Sequence, residues 1–103
     1  MSRRTIKMLF IPIDADQPVE IKDVEDDWRA WKELVGGWTT GWWPVPDDKL
    51  FVLCDEEGLP KGLKPNLRAH KILRVPVVGN VLVAGYENEQ VQDFPYTLEE
   101  VMQ

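Results

Sequence analysis

Leu50-Phe51-Val52-Leu53-Cys54-Asp55-Glu56-Glu57-Gly58 is the stretch that decides the fold. An unbroken apolar run between Asp47-Asp48 and an acidic turn ending in Gly58 is short for a helix and reads as a buried strand. Gly58 suits the turn because it adopts positive φ without steric cost. Upstream, Gly37-Trp38-Thr39-Thr40-Gly41-Trp42-Trp43-Pro44 reads as a bent strand or loop carrying three large aromatics. Downstream, Lys61-Gly62-Leu63-Lys64 leads to Pro65, placed in the first turn of a short helix over Pro65 to Leu73. In that helix Ala69, Ile72 and Leu73 share one face, and Leu67, His70, Lys71 and Arg74 share the other.

The flanks supply the rest of a sheet. Thr5 to Ile13 is a buried strand, with Pro12 marking an edge or a terminus because proline cannot donate to a ladder. Asp14 to Pro18 is a turn, and Val19 to Lys22 alternates like a short second strand. Asp26 to Val35 is the clearest helix. Val24, Trp28, Trp31 and Val35 form its apolar stripe, Asp23 or Asp26 caps its start, and Gly36 ends it. The stripe places Trp28 and Trp31 in the core. Val75 to Val78 and Val81 to Ala84, separated by Gly79-Asn80, form a tight hairpin or one bulged strand. Thr97 and Glu100 spell a capping box that opens a short terminal helix. Strands and helices alternate without regular βαβ spacing. The expected class is α+β, with one mixed or antiparallel sheet and two or three helices mainly on one face. Residues 1–103 are read as a single domain, with a C-terminal tail over 87–103.

Composition narrows the function. The 103 residues include 44% apolar and 29% charged side chains and carry a formal charge of −6. That sum argues against duplex DNA, whose binding relies on dense Lys and Arg. Acids concentrate in Asp14 to Glu33, Asp47 to Glu57 and Glu87 to Glu100, whereas Lys61 to Arg74 holds five bases and no acid. No stretch reaches the about 20 apolar residues of a membrane span. No cleavable leader follows Met1, and a single cysteine suits a reducing cytoplasm. Cys54 and His70 form the one conceivable Cys/His pair, and Cys54 is read as a small core residue. The Asp14, Asp16, Glu20 group lacks the spacing of a calcium loop, so no metal and no cofactor are expected.

Taken in order, several segments resemble a family of small proteins known mainly from bacteriophages and mobile elements, domain of unknown function number three-eight-four-six. They are Trp31-Lys32-Glu33-Leu34-Val35-Gly36-Gly37, Phe51 to Cys54, Asp55 to Gly58, Leu59 to Ala69 and Val78 to Gly85. The resemblance spans about residues 5–86. It implies a phage or mobile-element origin and action in the host cytoplasm, and supplies no activity.

The leading expectation is a non-catalytic phage accessory protein that binds a host protein or self-associates, in host takeover or counter-defence. Trp42, Trp43 and Leu67 are its expected contact residues, since tryptophan is a frequent interface anchor. One alternative is a protein that binds or sequesters a nucleotide or small anion through Lys64, Asn66, Arg68 and Lys71, with backbone N–H groups at the helix start. Another is an acidic mimic of nucleic acid, which requires its acids to form a continuous patch.

Overall fold

Side chains along β1 (Thr5–Ile11) alternate between two apolar surfaces, which sets the architecture. Ile6, Met8 and Phe10 lie on one face, and Leu9 and Ile11 on the other. A strand apolar on both sides needs cover on both sides. The structure, a computed structural model, describes residues 4–42 and 49–102. Its further elements are β2 (Glu20–Glu25), α1 (Trp28–Val35), β3 (Thr39–Trp42), β4 (Leu50–Asp55), α2 (Leu67–Leu73), β5 (Val81–Glu87), β6 (Gln90–Gln92) and α3 (Leu98–Val101).

The strands form one antiparallel sheet in the order β2-β1-β5-β4-β3, and β6 pairs with β5. β5 is shared along one edge. Val81 to Val83 pair with β1, while Gly85 to Glu87 pair with β6. The chain after β6 then runs beside the start of β1, where Asp93 Oδ1 accepts from Lys7 N and Lys7 O accepts from Phe94 N. Arg4 ties the same segment down through Val91 O and Gln92.

The α+β class and the antiparallel sheet are as expected. Two of the three helices share one face, and the third covers the other. α1 covers one face, packing Ala30, Trp31, Leu34 and Val35 on Ile6, Met8, Phe10, Leu53 and Leu82. α2 covers the opposite face through Ala69, Ile72 and Leu73, joined there by Val101 of α3. The expectation of helices mainly on one face therefore describes α2 and α3 but not α1. The reason lies in β4 and β5, whose alternate residues are apolar on both sides.

Local signals explain the boundaries. Asp27, not Asp23 or Asp26, caps α1 by accepting from Arg29 N, and Gly36 ends it at φ 94°. Pro65 lies outside α2, in a bridge with Val78, and Asn66 is the cap. Val75 to Val78 form no strand of the sheet. β6 answers to a two-residue turn, Asn88-Glu89, with φ of 53° and 61°. Positive φ at both central residues is the geometry of a type I′ hairpin.

Candidate interaction site

Trp28 opens α1, and only Ala30, Trp31, Leu34 and Val35 of that helix face the sheet. Trp31 is half-buried, and its indole N–H donates to Glu25 O at 3.1 Å, which fixes the helix to the end of β2. Trp28 is left at the rim and is 45% exposed, so its expected place in the core is corrected. The helix turns at Gly36-Gly37 and brings Trp38, 54% exposed, back against it. The two indoles stack with centroids 5.1 Å apart and planes 19° from parallel. Arg29 lies 5.0 Å over the Trp28 ring, and Lys32 Nζ lies 4.1 Å over the Trp38 ring. A stacked pair of this kind contributes about 0.5–1.5 kcal/mol beyond its buried area.

The turn that delivers Trp38 rests on an ion pair whose acid is buried and whose base reaches solvent. Asp55 ends β4 with its side chain 2% exposed, and Lys61 Nζ donates to its Oδ2 at 2.7 Å. Asp55 Oδ1 accepts from Glu57 N at 2.8 Å, closing the acidic turn. Burial pushes the Asp55 carboxyl up. The Lys61 hydrogen bond, the Glu57 N–H and the Lys61 charge outweigh this and hold it below the ordinary carboxylate value. A Cβ on Gly37 would sit 2.6 Å from Asp55 Oδ2 and 2.7 Å from Lys61 Nζ, so the pair and the turn fit only with glycine there. The sequence places Asp55 in the acidic turn, whereas it is the last residue of β4 and buried. The signal that places it inward is its register with Phe51 and Leu53 along β4.

The anion-binding residues are not assembled as expected. Asn66 is 1% exposed and its side chain is committed to the backbone. Its Oδ1 accepts from Ala69 N, and its Nδ2 donates to Ile11 O at 2.9 Å and Gly79 O at 2.8 Å. Arg68 spends its guanidinium on three carbonyls of the β1–β2 loop, Pro12, Asp14 and Gln17. Both side chains therefore organise the fold. Lys64 and Lys71 are exposed, as is Leu67. Of the five bases between Lys61 and Arg74, Lys61 pairs with Asp55 and Arg68 with the loop. Trp42 ends β3 in register with Val52. Trp43 lies outside the described residues.

The acids are also partly spent. Asp23 pairs with Lys7, Glu20 with Lys22, Asp26 with Arg4 and Asp27 with Arg29. Among the described residues, no group of three or more His, Cys, Asp or Glu is placed to share a metal ion. No helix of the described residues is long and apolar enough to cross a membrane.

An antiparallel sheet covered on both faces defines a compact α+β domain with an exposed aromatic pair on its surface. The chain belongs to the family described as Domain of unknown function (DUF3846), which matches residues 6–102. No curated protein matches it. Among solved structures, it is similar to the crystal structure of the small RNA methyltransferase HEN1, with a TM-score of 0.62 and 15% identity. That likeness covers 98% of this chain and 16% of the other, so the chain spans a small part of that protein's length. The similarity is one of fold.

Proposed function

We propose that the chain is a non-catalytic binding protein that engages a partner protein through the Trp28–Trp38 face. The observation that carries this is the exposed indole stack. Two large apolar rings stack at the surface, while Trp31 of the same helix packs partly buried against the sheet. Exposed aromatic clusters mark contact surfaces, and Trp and Arg are the residues most enriched at energetic centres of interfaces. The neighbouring sheet edge supports the reading. Edge strand β2 carries Glu20, Lys22, Asp23 and Glu25, a charged edge of the kind that resists pairing. Thr39 to Trp42 of edge strand β3 carry no charge.

The family resemblance adds a setting. The protein acts in the cytoplasm of a host cell, as an accessory factor of a phage or mobile element, on a host protein or on a second copy of itself. The nucleotide reading loses its two most specific ligands, Asn66 and Arg68, to the fold. The mimic reading loses the acids that are paired with Arg and Lys.

The test is comparative capture from host lysate with wild type, Trp28→Ala and Trp38→Ala, each checked by circular dichroism, alongside light scattering for self-association. The reading expects a captured protein, or an oligomer, that disappears in both folded variants. Identical capture and identical mass across the three proteins overturns it.

A further inference from the structure

The outward face of α2 is a second surface, independent of the tryptophan stack. Ala69, Ile72 and Leu73 pack inward, so Leu67, His70, Lys71 and Arg74 point outward, with Lys64 just before the helix. Leu67 is 73% exposed, one of the most exposed large apolar residues described. Among the described residues Lys64, Lys71 and Arg74 make no ion pair, and no acid occurs between Lys61 and Arg74 to neutralise them.

Two features of this face have no explanation in the fold. Arg74 caps α2 in the left-handed region, φ 59° and ψ 36°, with its N–H donating to His70 O. That position favours glycine, because a Cβ there is strained. Arg74 occupies this strained position, yet its exposed guanidinium makes no ion pair among the described residues. Leu67 likewise stands in solvent among cations. Meanwhile the helix itself is rigidly seated, by Asn66 on Ile11 O and Gly79 O and by Arg68 on the loop at Pro12, Asp14 and Gln17. A fixed helix with an exposed leucine in its first turn, a lysine before it and two further cations towards its end is complementary to an acidic segment with an apolar anchor.

We propose that the α2 face docks an acidic, amphipathic segment of a partner polypeptide, with Leu67 meeting its apolar side chain and Lys64, Lys71 and Arg74 meeting its carboxylates. Polypeptide is favoured over nucleic acid for three reasons. A phosphate backbone offers Leu67 nothing to bury against. The face carries no Trp, Tyr or Phe on which bases would stack. The acidic remainder of the chain repels a polyanion at long range, while a short segment feels chiefly the local cations inside the about 8 Å screening length of physiological salt.

The test uses the full chain and fluorescence anisotropy with three labelled probes: a short helical peptide bearing Glu on one face and Leu on the other, an all-Glu peptide, and a short DNA duplex. The Glu/Leu peptide is expected to bind best, and to weaken several-fold between about 20 mM and about 200 mM salt. Leu67→Ser should weaken it about tenfold. Arg74→Gly is the decisive variant. It suits the left-handed cap, so the midpoint of unfolding should rise, while binding of the Glu/Leu peptide falls about threefold. No binding of the Glu/Leu peptide at low salt overturns the proposal. So does binding that survives both substitutions, or duplex DNA binding as tightly without regard to Leu67.

Discussion

Asp55 is the residue on which the site's geometry turns. It holds Lys61, the Glu57 amide and, by close approach, the Gly36-Gly37 turn that delivers Trp38. Removing the cation strands a buried carboxylate, so Lys61→Met should cost about 2 kcal/mol in denaturant unfolding, reduced from a fully buried pair by the exposure of Lys61. The pH dependence has a definite sign. The folded carboxyl lies below the unfolded value of about 3.9, so the native state binds fewer protons. Its contribution is complete above that value and is lost as the pH falls through the lower folded one. The slope of stability below about pH 5 should therefore flatten in Asp55→Asn, and an unchanged slope would show that the pair is not felt. Asn66→Ala removes a helix cap and leaves two buried carbonyls without a donor, an expected loss of about 3 kcal/mol read from the same unfolding curves.

At the level of elements, α2 is a short helix made usable by its anchors. Seven residues are too few to hold a helix in isolation. Arg68→Ala should leave α2 folded on Ala69, Ile72 and Leu73 but release the 12–17 loop, visible as faster amide exchange there with little change around β4. Arg74→Gly should stabilise by about 1 kcal/mol. These elements also show what was legible beforehand. The stripe of Trp31 and Val35 and the stop at Gly36 located α1 within two residues, because periodicity and glycine chemistry are local. The buried run Leu50 to Cys54 located β4 for the same reason. β6 was hidden because its turn uses Asn88-Glu89 where glycine is the usual signal. The roles of Asn66 and Arg68 were hidden because their acceptors, Ile11, Pro12, Asp14, Gln17 and Gly79, are distant in sequence except the last. Trp28 misled because it lies on the apolar stripe, yet at the first helical residue it stays outside the cluster that Ala30, Trp31, Leu34 and Val35 join.

For the whole molecule, two covered faces leave the chain's unusual features on its outside. The sheet is buried between α1 and the α2–α3 side, so the core does not depend on Trp28 or Trp38. Substituting either should cost only about 1 kcal/mol, the worth of a stacked pair. That separation lets binding be read apart from folding. The proposed role of the stacked indoles is to meet a partner. Its most direct measurement is quantitative mass spectrometry of proteins captured from host lysate by wild type and by folded Trp38→Ala, with the mass of each in solution determined in parallel. The account predicts at least one protein, or a second copy of the chain, held by wild type and lost from the variant. The same proteins at the same abundance, with the same mass in solution, would contradict it.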